Sequence, residues 1–184
     1  MKLNDLHLGM RFAYADPPYL GQGTKLYNDP TYDDPEAHRA LVDRLCLEYP
    51  DGWAMSASSP TLRTILPMCP EDVRVSAWVK PFAVFKPNVN PAYAWEPVIW
   101  RGGRTKRSRT EDTVRDYHSE VITLRRGMPG AKPPGFVSWI VGLLGADVRK
   151  GDTITDIFHG SGAMLGVWRP DVQPSGDHMP KEQQ

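Results

Sequence analysis

Two clusters in this 184-residue chain combine residue types and spacings that chemistry could use. The first is Asp16-Pro17-Pro18-Tyr19, directly after the apolar run Phe12-Ala13-Tyr14-Ala15. An exocyclic amine on an aromatic ring is a poor nucleophile, because its lone pair is delocalised into the ring. A group that activates it must accept hydrogen bonds from the NH2 protons while the nitrogen pyramidalises. The Asp16 carboxylate can accept one and the Pro17 carbonyl another, and Pro17 and Pro18 stiffen the turn so that both acceptors stay in place. Tyr19 adds a ring face, on which stacking of a base is worth about 1–3 kcal/mol. A rigid surface turn with a capping aspartate has the same four residues, so the motif alone leaves both readings open.

The second cluster is Asp156-Ile157-Phe158-His159-Gly160-Ser161-Gly162. Gly160 and Gly162 let backbone approach a ligand without an intervening Cβ. The apolar residues after them could open a helix whose N-terminus favours a carboxylate. Phe158 can pack under such a loop or line a pocket, and a plain glycine-rich strand-to-helix turn is the other reading. Cys46 and Cys69 are too few for a disulfide framework and read as reduced, packed thiols; a zinc site is not expected. None of the five histidines has metal-ligand spacing. His38 is expected on an exposed helix face, and only His159 falls inside a candidate site.

Both clusters need elements to position them. Residues 11–16 read as a buried strand broken by Pro17-Pro18, and residues 20–33 as loop. A helix is predicted over 34–49, capped by Asp33 or Asp34, with Pro35 in its first turn and Ala37, Leu41 and Leu45 on one face. Further strands are expected at 53–57, 73–79, 93–100, 120–124 and 153–156, a short helix at 60–66 and an apolar helix at 136–144. Trp95 and Trp100 read as sheet core. Strands alternating with helices predict an α/β domain with a mainly parallel sheet, whose ligands bind at the carboxyl ends of the strands. Both clusters sit at such ends, so one shared pocket is expected.

Composition sets outer bounds. A chain of this length forms one domain, expected over 1–168, burying roughly 70% of the surface its unfolded form exposes; residues 169–184 read as a disordered tail. Mean hydropathy is −0.46 and no run of about 18 apolar residues occurs, which makes a cytoplasmic protein the default expectation. The 22 basic residues balance 22 acidic ones, so attraction to nucleic acid would have to come from uneven placement. The stretch 101–117 is such a place: Arg101, Arg104, Lys106, Arg107 and Arg109 read as a mobile basic loop suited to phosphate contacts, or simply as a solvated loop.

The two clusters together resemble the DNA amino-methyltransferases, which move a methyl group from S-adenosylmethionine to adenine N6 or cytosine N4. Asp16 to Tyr19 is similar to their Asp-Pro-Pro-Tyr motif, and Asp156 to Gly162 to their cofactor loop. Lys132-Pro133, followed by an apolar helix and Gly151-Asp152, looks like the segment preceding that loop. Catalytic motif first and cofactor motif last is the order of the permuted class, with the target-recognition region between them. Trp78-x-Lys80-Pro81 and Trp95-Glu96-Pro97 look like adenine-specific members. The resemblance implies a minimal Rossmann-like methyltransferase fold, S-adenosylmethionine as cofactor and DNA as partner. By it Asp16, Pro17, Pro18 and Tyr19 would be catalytic, while Lys132, Asp156, Phe158, Gly160, Ser161 and Gly162 would surround the cofactor. The small size suggests a phage or mobile-element type. Ala163 stands where the family usually has threonine. A polar tail follows Trp168 in place of the strand whose acidic end holds the cofactor ribose, which implies a form truncated after the cofactor motif: a minimal enzyme, one completed by a partner or a second copy, or a degenerate copy. Cytosine-N4 methylation and a non-catalytic nucleic-acid-binding module are the alternatives.

Overall fold

Phe12, Ala13, Tyr14 and Ala15 are all buried because strand β1 (Arg11–Ala15) is covered on both faces. Phe12 and Tyr14 enter one apolar cluster, Ala13 and Ala15 another. That is why the run is continuously apolar rather than alternating. The computed structural model describes residues 9–81, 87–105, 113–121 and 131–159.

After β1 come a short helix α1 (Gly23–Tyr27), α2 (Pro35–Glu48), β2 (Gly52–Ser56), the short α3 (Leu62–Ile65), β3 (Arg74–Val79), β4 (Trp95–Gly102), β5 (Tyr117–Ser119), α4 (Pro134–Leu144) and β6 (Thr153–Asp156). The strands form one sheet in the order β5-β3-β4-β2-β1-β6. β1 pairs in parallel with β2 and β6, and β3 with β5; β4 runs antiparallel to β2 and β3. Five strands therefore point one way and β4 alone is reversed. α4 covers the face carrying Phe12, Tyr14, Trp78, Val98 and Ile154, whereas α2 and α3 cover the face carrying Ala13, Trp53, Met55 and Ile99. Among the described residues no helix is long and apolar enough to cross a membrane.

Local chemistry explains the helix ends. The Asp34 side chain accepts from the Glu36 N–H at 3.0 Å with Pro35 at the first helical position, so α2 starts as its sequence suggests. α4 enters through Pro133-Pro134 and stops at Gly145, whose φ of 64° lets Gly145 and Ala146 N–H close back on Gly142 and Val141 carbonyls.

Several expectations need correction. Residues 20–33 are not all loop: α1 forms because the Asp33 carboxylate accepts from Gly23 N–H (2.7 Å) and Thr24 N–H (3.0 Å), a cap supplied from ten residues downstream. β5 lies at 117–119 rather than 120–124; Glu120 follows it, and 122–124 fall outside the described residues. β4 begins at Trp95 and runs on to Gly102, two residues into the stretch read as basic loop. Trp95 is partly exposed at 38%, while Trp100 is buried and donates to Ser76 Oγ at 3.0 Å. His38 is buried, not exposed, edge-on to the Tyr32 ring. Burial pulls its pKa down, opposed by the nearby Asp34 and Pro18 carbonyls, so it backs the Pro17-Pro18 turn as a neutral ring.

At the amino edge of the sheet, Asp152 ties three segments together. Its carboxylate accepts from Met10 N–H (2.9 Å), Asp147 N–H (2.8 Å) and the Arg104 guanidinium (2.7 and 2.8 Å). Arg101 pairs with Asp72 at 2.7 Å. Two of the five basic residues named above are thus engaged within the chain, and Lys106, Arg107 and Arg109 lie outside the described residues.

Candidate active site

Strand alternation builds the site. On the face under α4, the apolar rows of five strands each meet a polar residue at the same edge: Phe12-Tyr14 leads to Asp16, Ala54 to Ser56, Trp78 to Lys80, Ile154 to Asp156. The fifth comes from β4, whose reversed direction brings its start, Glu96, to the edge where the other strands end; Glu96 lies in register with Trp78. Lys132 descends from the segment just ahead of α4.

These residues form one polar group. The Lys132 ammonium lies 3.1 Å from Asp16 Oδ1 and donates to Tyr19 Oη at 3.0 Å and Glu96 Oε2 at 3.2 Å. Tyr19 donates its hydroxyl proton to Glu96 Oε2 at 2.6 Å, and Lys80 holds Glu96 Oε1 at 2.5 Å. Three rings cradle Lys132: Trp78, Tyr19 and Phe136 centroids lie 5.2, 5.5 and 5.8 Å from Nζ. Beneath Asp16, Tyr14 and Ser56 share a buried hydroxyl–hydroxyl bond of 2.8 Å.

The electrostatics separate the two carboxyl groups. Burial raises the Asp16 pKa; Lys132 opposes this and the Glu96 charge adds to it. Burial would raise Glu96 too, but Lys132 and Lys80 prevail and hold it at about 2. Burial would lower Lys132, yet Asp16 and Glu96 keep it firmly protonated. Tyr14 and Tyr19 are both pushed well up, by burial first and the Asp16 charge second. Glu96 is therefore held as an anion, and Asp16 is the carboxyl group of the two that binds a proton more readily than usual.

The two sequence clusters meet on adjacent strands. Tyr14 is in register with Asp156, and Ile157 N–H donates to the Tyr14 carbonyl at 2.9 Å, so the turn after β1 and the start of the second cluster share one sheet edge. Asp156 is buried, its pKa raised by that burial, and its Oδ1 has no hydrogen-bond partner among the described residues. Phe158 packs edge-on against Tyr32 at 5.3 Å. Gly160, Ser161 and Gly162 lie outside the described residues. The resemblance groups Lys132 with the cofactor residues, whereas its ammonium goes to Asp16, Tyr19 and Glu96. In the sequence Lys80 and Glu96 stand out only as points of resemblance, and Tyr14 and Ser56 carry no motif. The available signal was a polar residue closing each apolar alternating row.

No protein-family model matches this chain, and no curated protein matches it in sequence. Solved structures match it in shape. The M1.HpyAVI-SAM complex superposes with a TM-score of 0.53 at 16% identity, covering 85% of this chain and 75% of that one. M1.HpyAVI superposes with a TM-score of 0.51 at 14% identity, covering 88% and 77%. TTHA0409 of Thermus thermophilus, a candidate DNA modification methylase, covers 86% and 75% at 16% identity with a TM-score of 0.49. The chain has the Rossmann-like α/β fold of the SAM-bound structure, a mainly parallel sheet flanked by helices.

Proposed function

We propose that this chain is an S-adenosylmethionine-dependent DNA methyltransferase that modifies the exocyclic amine of adenine at N6. The observation that carries the reading is the meeting of Asp16, Tyr19 and Lys132 in one hydrogen-bonded group beside the buried Asp156. The neighbour M1.HpyAVI, solved with SAM, shares the fold. The residues fit such a cofactor: Asp156 presents a buried, unpartnered oxygen next to the amine-accepting turn, and Phe158 lies two residues on. Asp156 and Phe158 would hold the cofactor together with Gly160, Ser161 and Gly162. When bound, S-adenosylmethionine supplies a methyl group on positively charged sulfur, which leaves as a neutral thioether.

The chain's own work is to orient the amine and take its proton. Lys132 engages Asp16 Oδ1, which leaves Asp16 Oδ2 and the Pro17 carbonyl to accept from the two N–H bonds of the amine. Those bonds draw the nitrogen out of the ring plane and free its lone pair for the methyl carbon. As the N–C bond forms, the nitrogen becomes cationic and one of its protons passes to Asp16, whose raised pKa suits it to receive one. The Tyr19 ring, fixed by its hydroxyl bonds to Glu96 and Lys132, stacks on the base. A base taken from a duplex must first be rotated out of it. Adenine is favoured over cytosine by resemblance, through Asp ahead of Pro-Pro-Tyr.

The test is label transfer from S-adenosylmethionine to unmethylated genomic DNA, followed by digestion to nucleosides. Labelled N6-methyladenine is expected; N4-methylcytosine would reassign the base and keep the mechanism. Asp16→Ala should lower the rate by about 100-fold or more while leaving cofactor affinity within a few-fold by calorimetry. No binding at millimolar cofactor would sink the reading and leave a nucleic-acid-binding module.

A further inference from the structure

Lys132 serves three oxygens with one ammonium, which has three N–H bonds to give. Each oxygen can therefore have its own N–H, but Asp16 and Glu96 share the single positive charge of that ammonium. Glu96 is itself divided: Oε2 receives Tyr19 and Lys132, while Oε1 receives Lys80. Lys80 and Lys132 also lie against the same indole, at 5.4 and 5.2 Å from the Trp78 ring centroid. Two ammonium groups on one ring repel, and the carboxylate bridging both offsets that repulsion. Both side chains are largely buried, 10% exposed for Lys80 and 18% for Glu96, so solvent does little to blunt these forces.

We propose that Lys80 and Glu96 are positioning residues, which act on Asp16 and Tyr19 by setting how the Lys132 ammonium is shared between the two carboxylates. The role rests on the reading of Asp16 as the amine acceptor. Strengthening the Lys80 bond to Glu96 frees Lys132 for Asp16; weakening it draws Lys132 away. The groups facing Asp16 are Tyr14 of β1, Tyr19 of its own turn, Lys132 ahead of α4, Glu96 of β4 and Asp156 of β6. Lys80 of β3 acts one step behind Glu96, and His159 one step behind Asp156. Of the partners shared with Lys132, Glu96 alone is bound by a second cation among the described residues.

The two positions should act in opposite directions, which a merely structural role would not produce. In Glu96→Gln the negative charge near Asp16 is gone and Lys132 is released to it, so Asp16 titrates lower, by about one pH unit. In Lys80→Met the whole charge of Glu96 falls to Lys132, and Asp16 titrates higher. Lys80→Arg keeps the charge and should leave the midpoint within a few tenths of a unit. Carbon-13 NMR of the Asp16 carboxyl in the full chain reads the midpoints directly. The acid limb of methyl transfer, measured with S-adenosylmethionine and unmethylated genomic DNA, should move the same way. Glu96→Gln, nearly isosteric, decides the matter if Lys80→Met does not fold. Midpoints that stay put, or move together, overturn the proposal. Wild-type protein that transfers no methyl group defeats the functional reading and the positioning role with it. A limb that stays fixed while transfer proceeds defeats the positioning role alone.

Discussion

Tyr19 separates ring from hydroxyl at the scale of a single residue. Its hydroxyl accepts from Lys132 and donates to Glu96, and its ring is the face offered to a base. Tyr19→Phe keeps the face and loses both bonds, so the ring is less firmly aimed and Lys132 shifts toward Asp16. The expected result is a roughly ten-fold lower kcat with KM for DNA little changed. Tyr19→Ala removes the face as well, and KM should then rise about five-fold or more. Steady-state kinetics on the two variants checks the split; equal effects on KM would place the ring away from the base. The pH profile belongs to the same scale. Transfer needs ionised Asp16, and burial sets its pKa above the ordinary 3.8, so activity should fall as pH drops through a midpoint above that value. Glu96, held at about 2, stays charged throughout and cannot be the source of that limb.

Among the elements, what was readable from sequence is what local periodicity controls. β1, α2, β2, β3, α4 and β6 follow from apolar runs, alternation, capping and proline placement, and both chemical clusters were visible as motifs at strand ends. α1 was not, because its cap comes from Asp33, and β5 was not, because three residues on a polar sheet edge carry no alternation. Glu96 and Lys80 could not be joined to Asp16 for a topological reason: nothing local says that β4 runs backward and starts at the edge where the others finish. The Asp152 tie is equally non-local, spanning Met10, Arg104 and Asp147. Asp152→Ala strips two backbone N–H groups and a guanidinium of a fully buried acceptor, a loss of about 3 kcal/mol or more. That corresponds to a melting temperature about 6–12 °C lower for a chain of this size, measurable by calorimetry. Because Asp152 lies at the amino edge of the sheet, opposite the candidate site, cofactor affinity of the folded fraction should be unchanged.

For the whole molecule, the net charge of zero conceals buried carboxyl groups that pull stability in opposite directions with pH. Asp16 and Asp156 have pKa values raised by burial, so the folded chain binds their protons more readily than the unfolded chain does. Between the unfolded and folded values, stability therefore rises as pH falls. Glu96 and Asp152 have lowered values, Glu96 because Lys132 and Lys80 outweigh its burial and Asp152 because Arg104 and backbone N–H groups do. Their contribution is complete above the ordinary carboxylate values of 4.5 and 3.8 and drains away as pH falls below them, that of Glu96 toward about 2. The two effects occupy different windows, the first lying above the second. Melting temperature should thus rise as pH falls toward the ordinary carboxylate range and then fall below it, as Glu96 and Asp152 take up protons. Asp16→Asn should flatten the climb, whereas Glu96→Gln should flatten the acid fall and, by releasing Lys132 to Asp16, also weaken the climb. Thermal melts of the three proteins from about pH 2 to about pH 8 check the assignment; a monotonic profile in the wild type would show that burial does not raise Asp16 and Asp156 as the structure has it.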